Sequence, residues 1–166
     1  MLVPVYKDES GRLKVVLIRR SRIGIHGGEI ALPGGKRNKK DSSLAATALR
    51  EAKEEIGLAP DTVNILEHLP AVDTIVTGYR IHPFLARIIP PPVWRPEARE
   101  VAEIIEVGLE EFTRPGIHGE ELRQFPSWPG PLNIHYYRIG SHQLWGATYR
   151  ILHPLIPRLL SGEWPL

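Results

Sequence analysis

The chain has 166 residues, 42% apolar and 24% charged, with a net charge of +2. That is enough to bury one core and ordinary for a globular domain, so a single domain over residues 1–166 is expected. The absence of cysteine excludes disulfides and thiolate chemistry. No apolar run approaches the roughly 20 residues that span a bilayer, and no signal-peptide pattern is present, so a cytoplasmic protein without a membrane partner is expected.

The elements follow from hydrophobic period and punctuation. Strands are predicted over residues 3–6 and 13–19, with Asp8, Glu9, Ser10 and Gly11 as the turn between them. Residues 29–32 form a short strand that feeds Pro33, Gly34 and Gly35, a sharp turn able to bring backbone groups close to a ligand. A helix spans residues 42–56, with Asp41, Ser42 and Ser43 as possible N-caps and Gly57 as the stop. Strands are predicted at 63–69, 71–76 and 79–89, the last two joined around Thr77 and Gly78. Pro90, Pro91 and Pro92 lead out of the sheet. Another strand follows at 103–107 and a helical turn at 109–113. Residues 116–131, rich in glycine and proline, read as a lid-like loop. A hairpin around Gly140 joins 134–139 to 141–144, and a second helix opens at 145, to be kinked or ended by Pro154 and Pro157. Strands on both sides of a central helix, with a second helix at the end, predict an α/β/α sandwich on a mixed β-sheet.

The first helix carries the chemistry. At about 100° per residue, Ala45, Ala48, Leu49, Ala52 and Ile56 share one stripe, while Glu51, Glu54 and Glu55 share another face. Like charges three and four residues apart destabilise a helix, and the macrodipole disfavours them near its C-terminus. Arg50 and Lys53 would neutralise part of this charge, and a solvated acidic face is the plain alternative. A divalent cation held by oxygen ligands is the functional one. Basic residues precede the helix: Arg19, Arg20, Arg22, His26, Lys36, Arg37, Lys39 and Lys40. Lys39 and Lys40 read as a solvated loop; the rest would attract an anion beside a metal. No aromatic-interleaved basic stripe appears, so nucleic acid is not expected as a partner. His82, His118, His135, His142 and His153 lack metal-ligand spacing. Tyr79, Trp145 and Tyr149 read as packing residues, whereas Trp94, Trp128, Tyr136 or Tyr137, near loops, are the candidates to stack on a base.

Gly35, Asp41 and the run Arg50-Glu51-Ala52-Lys53-Glu54-Glu55-Ile56-Gly57-Leu58 resemble the signature of the Nudix hydrolases, which cleave diphosphates linking a nucleoside to another moiety. Aspartate stands for the first glutamate, and eight residues rather than seven separate it from Arg50. Further segments are similar to the coenzyme A pyrophosphatase branch: Arg20-Ser21, the run from His26 to Gly35, Leu69 to Asp73, Thr77-Gly78-Tyr79, Glu100 to Glu103, and Trp145-Gly146-Ala147-Thr148. The segment between Ser21 and His26 departs from that branch by one residue and by Gly24 and Ile25.

The resemblance implies the sandwich fold and a metal-dependent diphosphatase using Mg²⁺ or Mn²⁺ on a small nucleotide. The expected metal set is Glu51, Glu55, Glu54 and the carbonyl of Gly34, oxygen donors that favour a hard cation. Arg50 would orient Glu51 or Glu54. A later acid would serve as base or ligand, with Glu100 preferred to Glu97 and Glu103. Arg20, His26 and Lys36 would contact phosphates. Coenzyme A or an acyl-CoA is the expected substrate, and ADP-ribose, dinucleotides or nucleoside triphosphates the alternative. A non-catalytic nucleotide-binding module is the third reading, against which the intact acids argue. Exposed strand edges would permit a homodimer.

Overall fold

The structure, a computed structural model, describes residues 1–21, 27–74, 77–126 and 128–166. Strand β2 (Leu13–Arg20) is its axis, with Val15, Val16, Leu17 and Ile18 all fully buried. Such a run is what a strand covered on both faces requires. One edge of β2 pairs antiparallel with β8 (Val101–Gly108). The other edge is divided. Its first half pairs with β1 (Leu2–Lys7) and its second half with β3 (Ile30–Ala31). The Leu2 amide donates to the Pro33 carbonyl (2.8 Å), so the Gly34 turn leaves the sheet where β1 begins. Beyond β1 lie β7 (Phe84–Ile88), parallel to it, and β4 (Val63–His68), antiparallel to β7. The sheet is therefore mixed, as expected.

Side-chain alternation divides the core in two. Leu2, Tyr6, Val16 and Ile18 point to one face and meet Ala48, Ala52 and Ile56 of helix α1 (Leu44–Ile56). The small alanines bring α1 close to the sheet, and burying Ile56 alone contributes about 1.5–3 kcal/mol. Val3, Val5, Val15 and Leu17 point to the opposite face and meet Ile151, Leu152, Leu155 and Leu159 of helix α2 (Gly146–Leu160). The three layers form the expected α/β/α sandwich. Ser43 is the N-cap of α1, its hydroxyl accepting from the Ala46 amide (3.0 Å), and Gly57 ends the helix in the left-handed conformation.

Three expectations are corrected. The predicted strand at 79–89 is two strands, β6 (Arg80–Ile81) and β7, because the Pro83 break lets β6 pair with β5 (Val72–Asp73) while β7 enters the main sheet. The loop expected at 116–131 contains β9 (His118–Arg123), which pairs with β10 (Leu132–Ile139); β11 (His142–Trp145) completes that sheet. The third correction is α2, which does not stop at Pro154 or Pro157. Both prolines lie on its exposed face, and the five buried aliphatic residues Ile151, Leu152, Leu155, Ile156 and Leu159 hold the helix against the loss of two backbone donors. The end of the strand expected at 71–76 falls at residues 75–76, outside the described residues.

Candidate active site

The divided edge of β2 places the Gly34 turn directly against the acidic face of α1. The Gly34 amide donates to Glu55 Oε2 at 2.7 Å. Gly34 has φ 154°, and a Cβ there would lie 2.6 Å from Met1 Cα. At Gly35 a Cβ would lie 2.5 Å from the Glu51 carboxylate. Two glycines are thus needed for two reasons: one lets the backbone pass Met1, the other leaves room for a carboxylate.

Arg50 organises the rest. Its Nε and Nη2 grip Asp41 Oδ1 and Oδ2 at 2.9 and 3.0 Å. Its Nη2 also reaches Glu51 Oε1 (2.9 Å) and the Lys36 carbonyl (3.1 Å), and its Nη1 reaches Glu54 (2.9 Å). The planar fork suits such bridging, which an ammonium cannot reproduce. Asp41 is also held by the Asn38 amide (2.8 Å) and the Thr47 hydroxyl (2.9 Å). The Arg50 hydrogen bonds, aided by Asn38 and Thr47, hold its carboxyl well below the usual carboxylate range. Asp41 therefore pins the basic loop to α1.

The carboxylates facing the turn behave in the opposite way. Glu55 is 3% exposed, and burial pushes its pKa up to about 7; the Gly34 amide and Arg20 oppose this, Glu51 and Glu100 reinforce it. Burial also raises Glu51, against Arg50. Glu54, with 59% of its side chain exposed, sits at the rim. Ionising Glu51 and Glu55 together costs free energy that a cation would recover. All are oxygen donors, which fits a hard divalent ion. Among the described residues, no three His, Asp or Glu side chains already converge as ligands, and Glu51 is paired with Arg50.

These groups line one cavity of about 880 Å³. It brings together Gly34, Arg50's partners Glu51 and Glu54, Glu55, Glu100, Arg20 and Lys36. Glu97 and Glu103 are not on its wall: the Glu97 amide holds the Glu55 carbonyl (3.0 Å), and Glu103 pairs with Arg19 (3.1 Å). His26 lies outside the described residues. β10, β11 and the start of α2 add apolar lining through Leu132, Ile134, Trp145 and Ala147. Sequence reasoning missed Glu29, Tyr79, His135 and Trp145 as wall residues. Tyr79, expected to be packed, is 50% exposed, whereas Tyr136 and Tyr137, expected near loops, are buried. Tyr149 is buried as expected, with His118 and His153 stacked around it. The paired aromatics and imidazoles of β9, β10 and α2 carried no sequence signal, because their spacing reflects strand pairing between distant segments.

The NUDIX domain pattern matches residues 1–128. Uncharacterized Nudix hydrolases called NudL are similar: that of Citrobacter koseri is 37% identical over 151 residues, covering 90% of this chain and 70% of the relative. That of Cronobacter sakazakii is 36% identical over 174 residues, covering 99% and 83%. A MutT/nudix family protein from Enterococcus faecalis has the same fold, with a TM-score of 0.64 at 22% identity over 96% of this chain and 60% of that one. The chain belongs to the Nudix hydrolase family, whose enzymes generally use divalent metal ions. Among the described residues, no helix is long and apolar enough to cross a membrane.

Two outcomes follow from the site's geometry. Gly35→Ala forces Glu51 aside; with Glu51 as a cation ligand, Mn²⁺ affinity measured by calorimetry would fall at least about tenfold while the far-UV spectrum is unchanged, and wild-type affinity would remove Glu51 from the metal set. The depressed Asp41 carboxyl stabilises the fold above its unfolded value of 3.8, and that contribution is lost as pH falls through its lower folded value. Asp41→Asn is therefore less stable than the parent at pH 7, and the gap narrows towards pH 2 in denaturant melts.

Proposed function

We propose that this Nudix hydrolase cleaves the diphosphate of coenzyme A or an acyl-CoA, giving 3′,5′-ADP and 4′-phosphopantetheine. The observation that carries the reading is one cavity lined both by the carboxylates with their basic neighbours and by the apolar residues Leu132, Ile134, Trp145 and Ala147. Its volume of about 880 Å³ suits a substrate far larger than a diphosphate alone. The segments around Gly34, Tyr79, Glu100 and Trp145 that resemble the coenzyme A pyrophosphatase branch all contribute to that cavity.

In this reading Glu51, Glu55 and Glu54, with the Gly34 carbonyl, hold Mg²⁺ or Mn²⁺. The bound ion supplies Lewis acidity at the diphosphate oxygens and lowers the pKa of an attacking water. Water adds to one phosphorus, the bridging P–O bond breaks, and the water's proton passes to a carboxylate. Glu100, an exposed residue of the cavity lining that acts electrostatically on Glu55, is our first candidate for this role and Glu54 at the rim the second. Arg50 keeps Glu51 and Glu54 oriented. Arg20 and Lys36, with His26, contact the phosphates and draw the anion in. A broader pyrophosphatase acting on ADP-ribose, dinucleotides or nucleoside triphosphates is the second reading, favoured by the departure between Ser21 and His26.

Incubation with Mg²⁺ or Mn²⁺ and coenzyme A, ADP-ribose, NADH or deoxynucleoside triphosphates, with products separated by chromatography, tests the assignment. Release of 3′,5′-ADP from coenzyme A at the highest kcat/KM is expected, and preference for ADP-ribose would reject the coenzyme A reading. Glu55→Gln keeps an acceptor for the Gly34 amide, so its melting curve stays close to the parent's. Its kcat on the best substrate falls by roughly 10²-fold or more; an unchanged kcat at saturating Mg²⁺ removes Glu55 from the metal set.

A further inference from the structure

The β5–β6 hairpin carries Tyr79 on a backbone pinned at several points. The Tyr79 amide donates to Thr74 Oγ1 (2.8 Å), and its carbonyl accepts from the Thr74 amide (2.7 Å). Thr74 Oγ1 also meets Thr77 Oγ1 (2.7 Å). Beside it, Arg80 grips Asp73 with two hydrogen bonds (2.7 and 2.9 Å), and Arg150 of α2 donates to the Asp73 carbonyl (2.6 Å). This anchoring holds an aromatic ring out in solvent: the residue is 50% exposed and lines the cavity.

A cation rests over the ring. Lys36 Nζ stands 4.7 Å from its centroid. Lys36 directly follows the Gly34 and Gly35 turn, and its carbonyl is fixed by Arg50. The ring therefore lies within one lysine side chain of the carboxylates. The wall's other aromatics are engaged. Trp145 carries the Arg123 guanidinium at 4.6 Å and Phe125 at 5.6 Å. His135 is stacked on His118 and on Tyr149. Trp128, though partly exposed, is not on the wall.

We infer that Tyr79 is the platform on which the substrate's nucleobase stacks, placing the base under the β5–β6 hairpin and the diphosphate beside Lys36. A base offers a flat π-face to an aromatic ring whatever its edge chemistry, and the loss on removing such a ring is large enough to read. The ammonium that rests on the ring is the same one available to the phosphates, so base and phosphate engage adjoining groups. This inference rests on the reading of the cavity as a nucleoside-diphosphate site.

Calorimetric titration of the parent, Tyr79→Ala and Tyr79→Phe with ADP and with inorganic pyrophosphate, each in Mg²⁺, tests it. Tyr79→Ala weakens ADP at least about fivefold, and Tyr79→Phe restores it. Pyrophosphate, which has no base, keeps its affinity within about twofold in both variants. The phenylalanine variant decides even where pyrophosphate binds too weakly to measure. Unchanged ADP affinity in Tyr79→Ala, equal losses for both ligands, or failure of Tyr79→Phe to restore ADP would each overturn the platform alone. A parent protein with no affinity for ADP would overturn both the platform and the reading beneath it.

Discussion

The hydrogen bond from the Gly34 amide to the buried Glu55 carboxylate is the contact on which the remaining structure depends. It exists only because β1 and β3 share one edge of β2, which brings the chain out of the sheet at Pro33. It also requires α1 to lie close, which its alanines permit. A side chain at Gly35 would displace the Glu51 carboxylate, which already fills that space. Fold and site are thus one packing problem, solved with two glycines and two alanines.

Charge is distributed around that contact with a clear asymmetry. Asp41 is saturated by Arg50, Asn38 and Thr47, and it ionises readily. Glu55 has one amide donor and the distant Arg20, and burial makes its charge costly. Two acids from one sequence motif therefore do different work. Asp41 is satisfied by the protein and spends its charge on architecture. Glu55 keeps a charge that burial makes costly, with the Met1 ammonium and Arg20 among the described residues as its electrostatic counterweights.

The sequence made α1 legible because its period, cap and stop agree: Ser43 caps it, Gly57 ends it, and Ala48, Ala52 and Ile56 face the sheet. The acidic face was readable from the same count. What could not be read were features decided by distant pairing. Nothing local distinguishes β6 from β7 except a proline, and nothing local says that β9 finds β10 rather than forming a lid. The reversal of the tyrosines has the same cause: Tyr136 and Tyr137 are buried by neighbours from β9 and α2, while Tyr79 is held out by hydrogen bonds of its own turn. The helix-breaking weight given to Pro154 and Pro157 failed because both project from the side of α2 that needs no packing.

The cavity's two walls come from different stretches of chain. Its carboxylates and turn lie within residues 1–128, the span of the family pattern, whereas much of the apolar wall belongs to β10, β11 and α2 beyond it. That later stretch also covers the second face of the main sheet, through Leu152, Leu155 and Leu159. The boundary of the recognisable pattern is consequently not a boundary of folding, for a chain ending there would strip Val3, Val5, Val15 and Leu17 of their α2 neighbours. It is instead a division of labour, in which the size and greasiness of the chamber can be retuned from the C-terminal quarter while the acidic face is left alone.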